Sequence, residues 1–202
     1  MDFKDVLKQR RSVRTYDERP VPQEVLERIT NAAVVRAPSA GFSQGLRLVV
    51  VTDPALRREI AVAAGEDEPG WGSAAPVHVV VLTREDDYHE RYQQPDKLAI
   101  TGGVEVEWPA PYWYVDAGAA FLLLQLAAID EGLAAGVYGV LPEQVPEVKA
   151  LLAVPEDVRF VCLVTIGHPA PDPQETRVVS RLSQRRLALD ELVRWERWVG
   201  TE

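Results

Sequence analysis

Apolar residues recur at helical spacing in some stretches of this chain and crowd into short unbroken runs in others. The two patterns predict different elements. Phe3, Val6, Leu7 and Arg10 share the helical period, with Asp2 placed to cap residues 2–10. A second helix is predicted from Pro22, carrying Val25, Leu26, Ile29, Ala32 and Ala33 on one face. Leu48-Val49-Val50-Val51 and Val77-His78-Val79-Val80-Val81-Leu82 read as buried strands. Between them, Asp53 and Pro54 have the N-cap and N1 chemistry of a helix reaching about Ala64.

Tyr112 to Glu131 is the strongest helical signal, apolar on nearly every side, with Gly132 set to end it. Such a helix belongs at the centre of the protein or in a subunit interface. Gly136 to Val140 reads as a short strand or turn, Pro142 to Ala153 as a helix, and Arg159 to Ile166 as a strand closed by Gly167-His168-Pro169. Three stretches predict loops or turns: 17–22, 37–45 and 65–72. Glu85 to Pro111 has no clear period and reads as a lid or arm. The tail from Leu187 to Trp198 carries Trp195 and Trp198 as aromatic anchors. Helices that lead into alternating strands and helices predict an α+β or mixed α/β sheet flanked by helices, in one domain of 202 residues.

The net charge is −9, which argues against a nucleic-acid surface. Asp116, Gln125 and Asp130 interrupt the apolar helix, so it does not read as a membrane span. The start lacks the apolar core of a signal peptide, and the cytoplasm is the expected address. The single cysteine, Cys162, excludes an internal disulfide and reads as a buried strand residue. His78, His89 and His168 share no ligand spacing, so no metal site is expected. His78 reads as structural and His168 as a turn residue. No Gly-x-Gly-x-x-Gly, Walker A, His-Glu-x-x-His or Gly-x-Ser-x-Gly motif is present. A chain without a protein-borne nucleophile either only binds a ligand or borrows its chemistry from a cofactor.

Against the acidic background, two arginine clusters stand out: Arg10-Arg11-Ser12-Val13-Arg14 and Arg181-Leu182-Ser183-Gln184-Arg185-Arg186. Arg10 and Arg14 align whether the segment is helical or extended, and Ser12 can add a hydroxyl. Guanidinium pairs suit a phosphate, although a charge run at the surface is equally ordinary. The small residues of Ala37-Pro38-Ser39-Ala40-Gly41-Phe42-Ser43-Gln44 let backbone approach a flat ring, and Ser39, Ser43 and Gln44 offer hydrogen-bond groups.

Taken together, these segments resemble the FMN-dependent nitroreductase family. Arg10 to Tyr16 looks like its N-terminal signature, and Pro38 to Gln44 resembles its Pro-Ser-x-x-Asn-Ser-Gln-Pro-Trp loop. Trp71-x-x-x-Ala75-Pro76, the helix 116–132, the turn 136–139, Leu152-x-x-Pro155 and the ending Arg185-Arg186-Leu187 to Trp198 are similar too. The resemblance implies a three-layer α+β fold with a central, mostly antiparallel sheet, paired as a homodimer with FMN at the interface. It implies that Arg10, Arg11, Ser12 and Arg14, with Arg185 or Arg186, hold the phosphate and ribityl chain. Pro38, Ser39 and Ala40 would come from the partner subunit to border the ring, and Tyr138 and Gly139 would approach it near N5 and O4. Phe42, Tyr88 and Trp108 are candidates for the substrate wall.

The implied activity is ping-pong transfer of reducing equivalents from NADH or NADPH, through flavin N5, to a small acceptor such as a nitroaromatic or a quinone. No side chain is expected to act as catalytic acid. Substrate oxidation, dehalogenation or flavin fragmentation on the same fold, and non-catalytic FMN binding, stay open as alternatives. The chain departs from the family loop at Phe42, where Asn is usual, and at Gly45-Leu46, where Pro-Trp is usual. Pro69, beside Glu68, replaces a residue that is often polar.

Overall fold

Four strands build the sheet: β1 (Leu46–Val51), β2 (Val77–Arg84), β3 (Ala134–Tyr138) and β4 (Val158–Gly167). In the computed structural model, which describes residues 1–67, 70–171 and 187–198, they lie in the order β1-β2-β4-β3. Every pairing is antiparallel. The helices are α1 (Phe3–Gln9), α2 (Gln23–Arg36), α3 (Pro54–Ala63), α4 (Trp71–Ala74), α5 (Asp86–Tyr92), α6 (Pro95–Leu98), α7 (Tyr112–Asp130), α8 (Val145–Leu151) and α9 (Leu189–Leu192).

The α+β expectation holds, and the layering follows from strand alternation. Val77, Val79 and Val81 of β2, with Val164 and Ile166 of β4, pack on Leu26, Ile29 and Ala33 of α2 and on Ala117, Ala120, Leu124 and Ala128 of α7. Val80, Leu82 and Leu163 face the other way, onto Ile60 of α3 and Val148 of α8. β2 is therefore covered on both faces, which explains its unbroken apolar run. Full burial of residues such as Ile29, Leu124 and Leu163 stabilises the fold by about 1.5–3 kcal/mol each. One irregularity breaks the ladder. Val81 pairs with Cys162 but Leu82 pairs with Phe160, leaving Val161 as an extra residue in β4.

α7 is long and apolar enough to cross a membrane, but here it lies between α2 and the sheet. Its outer side is uncovered: Val115, Gly118 and Leu122 are exposed. Asp116 and Gln125, expected to interrupt the helix, are buried within it, while Asp130 pairs with the Met1 ammonium at 2.5 Å.

The structure corrects several element readings. The segment 65–72 is not all loop, because α4 starts at Trp71. The Glu66 carboxylate supplies its cap, accepting from Gly72 N at 3.0 Å and Ser73 N at 3.1 Å. Within 85–111 stand α5 and α6, which lack an apolar period and draw support from charge. In α5, Asp86 and Asp87 lie in the first turn and His89 and Arg91 in the last, matching the helix dipole. The third strand begins at Ala134, earlier than the glycine-rich turn suggested. The residue 142–153 helix is shorter, Val145–Leu151.

Candidate functional site

After α1 the chain turns extended. Arg10 caps the helix with φ −61° and ψ 110°, so the arginine segment is not helical. Val13 N donates to Ala135 O at 3.0 Å, laying residues 10–16 along the outer edge of β3. Tyr16 locks the far end. Its hydroxyl donates to Val13 O at 2.9 Å and lies 2.8 Å from Thr165 Oγ1. Burial raises the Tyr16 pKa far above its ordinary value, so the hydroxyl stays a donor. Val13 and Tyr16 point inward, and Arg11 and Ser12 are exposed.

The arginines then part company. Arg14 reaches over the Trp71 ring, 5.5 Å from its centroid. Trp71 in turn packs on Tyr138, with centroids 4.9 Å apart. Gly139 follows, exposed and with open space beside its Cα. Arg14, Trp71, Tyr138 and Gly139 thus form one wall where α4 meets the end of β3. Arg11 lines a separate cleft with Lys8 and Gln9. Among the described residues, Arg10, Arg11 and Arg14 form no ion pair, whereas Arg19, Arg28, Arg47, Arg84, Arg91 and Arg159 all do. Arg185 and Arg186 lie outside the described residues, as do Arg181, Glu68 and Pro69.

The α4 side of this wall is held from behind. His78 Nε2 lies 2.7 Å from Gly72 O, and Glu66 holds the two amides already noted. Burial pushes the His78 pKa down to about 4, so the ring is neutral and its Nε2–H donates. His78 is structural, as its strand position suggested. His168 is not in the expected turn: it continues from β4 beside the Tyr16–Pro169 bridge, its carbonyl accepting from Asp17 N at 3.0 Å. Burial pushes the Cys162 thiol up to about 12, in keeping with an inert strand residue.

Pro38 and Ser39 line a different cleft of about 460 Å³, together with Val34, Phe42, Tyr88 and Asp116, while Ala40 is not part of its lining. Phe42 is 72 % exposed at its mouth and adopts φ 62°, rare for a bulky residue. Tyr88 is buried, with its hydroxyl 2.8 Å from Asp116 Oδ2. The same oxygen accepts from Ala40 N at 2.7 Å. Trp108 does not join this cleft: it is half-buried between Tyr92 and Tyr112, with centroids at 4.3 and 4.9 Å. On the same α5, His89 packs near Trp113 and its Nδ1 lies 2.5 Å from Glu105 Oε1, which holds the histidine pKa above its usual value.

Sequence reasoning missed Glu66 and Asp116. Asp116 carried a readable signal, as a lone carboxylate in an apolar helix that must find buried partners. Glu66 carried none, because its role depends on a helix six residues away that the loop composition concealed.

The arrangement can hold an anion beside Arg14 and a flat ring against the Trp71–Tyr138 wall. The nitroreductase family model matches residues 7–168, and the chain belongs to that family. It is 31 % identical to a Thermus thermophilus protein named NADH dehydrogenase, with 96 % of each chain covered. It is 32 % identical to an FMN reductase [NAD(P)H] of Bacillus subtilis, over 79 % of this chain and 63 % of that protein. Its fold matches the NADPH:FMN oxidoreductase of Vibrio harveyi, solved with NAD+, at a TM-score of 0.74. That match has 23 % identity and covers all of this chain and 80 % of the other.

Proposed function

We propose that residues 1–202 form one FMN-binding domain of an NAD(P)H-dependent oxidoreductase that reduces a small electrophilic acceptor, such as a quinone or nitroaromatic. The observation that carries this is the run of guanidiniums at Arg10, Arg11 and Arg14, without ion pairs among the described residues of an acidic chain, of which Arg14 stands against an aromatic wall. A phosphate dianion is the chemical complement of such a set. The residues present therefore fit FMN. Arg10, Ser12 and Arg14 would bind its phosphate and ribityl chain, and Tyr138 and Gly139 would border the ring.

When bound, the flavin supplies hydride acceptance from a nicotinamide and its return to a second substrate, in ping-pong order. The chain's own task is to hold and orient. Arg14 would supply positive charge to the flavin's ribityl and pyrimidine side, and the Trp71 ring holds that guanidinium in place. No side chain needs to move a proton, since water reaches an exposed product.

Two copies complete the site in this reading. The apolar stripe Val115–Gly118–Leu122 on α7, with exposed Phe3 and Leu7 on α1, is suited to cover by a second copy. Trp195 and Trp198 of the tail are 84 % and 81 % exposed, and a partner surface would bury them. The loop at Pro38–Ala40 would then border the partner's flavin. The burial of α7's other side within a three-layer fold supports a soluble enzyme.

The test is direct. Purified protein, alone or mixed with FMN, should show flavin absorbance in the visible range, and anaerobic NADH or NADPH should bleach it. Protein that stays colourless with added FMN rejects the reading, and bound flavin that neither nicotinamide bleaches rejects the reductase.

A further inference from the structure

The loop that departs from the family pattern is braced by a helix whose residues match those departures. Gly41 and Gly45 lie four residues apart on the loop, and Tyr88 and Tyr92 lie four apart on α5. A Cβ on Gly45 would run into the Tyr88 ring, and one on Gly41 would run into the Tyr92 ring. Gly41 also has φ 60°, which glycine tolerates. Between the tyrosines, Arg91 Nε donates to Gly41 O at 2.9 Å. Asp116 closes the brace from α7, its Oδ2 accepting both from Tyr88 Oη and from Ala40 N.

This brace has something to restrain. Phe42 and Gln44 adopt φ 62° and 57°, left-handed conformations that oppose a bulky side chain. Such strain persists only where the surroundings over-determine it. Within the loop, Phe42 N donates to Ser39 O at 2.8 Å, Ser43 N to Ala40 O at 3.1 Å and Gln44 N to Ser39 Oγ at 2.8 Å. These bonds shape the loop, while Asp116, Tyr88 and Arg91 tie it to the rest of the protein. Burial and the adjoining carboxylate raise the Tyr88 pKa, so its hydroxyl remains a donor to Asp116.

We propose that Tyr88, Arg91 and Asp116 are positioning residues that lock the 39–44 loop in its left-handed arc, so that Phe42 stands as a fixed aromatic wall selecting broad, flat acceptors. This rests on the reading that the 38–40 loop borders a flavin. The selected class is fused-ring quinones and nitroaromatics, which can stack on a fixed phenyl ring, in preference to single-ring analogues. A mobile Phe42 would spend that stacking on its own ordering.

The experiment uses the full-length holoenzyme and has two readouts. In the first, hydrogen exchange of the Ala40 and Gln44 amides is compared between the wild type and Tyr88→Phe, which keeps the ring against Gly45 but removes the hydroxyl. Exchange about tenfold faster is expected, the loss of one hydrogen bond to a buried carboxylate. In the second, steady-state kinetics with menadione and with p-benzoquinone are compared. KM for menadione should rise about tenfold with kcat changed less than twofold, and KM for p-benzoquinone should barely move. Asp116→Asn should act in the same direction. In a Phe42→Ala background, Tyr88→Phe should have no further effect on menadione KM. Wild-type exchange in Tyr88→Phe overturns the brace. Faster exchange with unchanged menadione KM, or a KM effect that survives in Phe42→Ala, overturns the role in selection. Should Asp116→Asn fail to fold, Tyr88→Phe carries the test. A colourless protein sinks the flavin reading separately, and the exchange measurement still decides the brace.

Discussion

Two groups of arginines in this molecule have opposite fates. At the corner where β2 meets α5, Arg84 contacts Asp87 at 2.6 Å, Asp157 at 2.9 Å and Glu90 at 3.3 Å, Arg47 shares Asp87, and Arg159 pairs with Glu85. Along the edge of β3, Arg10, Arg11 and Arg14 have none among the described residues, although the chain carries 31 acidic residues against 22 basic ones. The first group is satisfied by the fold. The second leaves its charge free for the anion that the proposed function assigns to it.

The largest effect should come from the unpaired group. Arg10→Ala with Arg14→Ala removes two charge-assisted contacts, and FMN affinity should fall on the order of a thousandfold, read by flavin fluorescence during titration. Full retention of flavin would erase the functional half of the contrast.

The histidines sharpen it. His78 is buried without a carboxylate partner, so an unfolded chain takes up its proton near the ordinary 6.5 while the folded chain resists until about 4. Stability should therefore be lost as pH falls through that window, by about 3 kcal/mol in total, and should level off below it. His78→Asn, which can still donate to Gly72 O but does not titrate, should flatten that part of the curve in urea melts at stepped pH. An unchanged acid slope would mean that other groups carry it.

The smallest effect belongs to the paired arginines. Arg84→Ala should lower Tm modestly, and added salt should shrink the difference because these ion pairs are partly solvated. Flavin affinity should stay at the wild-type value. Loss of flavin in this variant would show that the two groups are not independent.

Where pattern and burial coincide, the fold was legible before any coordinates. Val77–Leu82 reads as a strand because both of its faces are covered, and Tyr112–Glu131 reads as a central helix because sheet and α2 flank it. α5 was hidden because no apolar stripe marks it. Its two tyrosines, Tyr88 and Tyr92, face Gly45 and Gly41, far earlier in the chain, a relation that no local window contains. The site was partly legible. Arg14 and Tyr138 come together through Trp71, which the family pattern pointed to. Trp108 was expected at a substrate wall because aromatic residues in an irregular segment suggest one, but its ring is stacked between Tyr92 and Tyr112. The second arginine cluster, 181–186, lies outside the described residues.

The extra residue in β4 makes that strand tolerant of losing one residue at the bulge and intolerant of losing one anywhere else. Val161 and Cys162 both lie against the α2–α7 side, while Val158 and Phe160 lie against the α3–α8 side. Substituting either bulge residue disturbs one neighbourhood. Deleting either one would restore ordinary alternation and leave Phe160 and Val158 on the α3–α8 side, in their present register with β2, whereas deleting a residue on either side of the bulge would turn part of the strand toward the wrong layer. Homologues of differing length should therefore gain and lose residues in loops or at this bulge, and nowhere else within the strand.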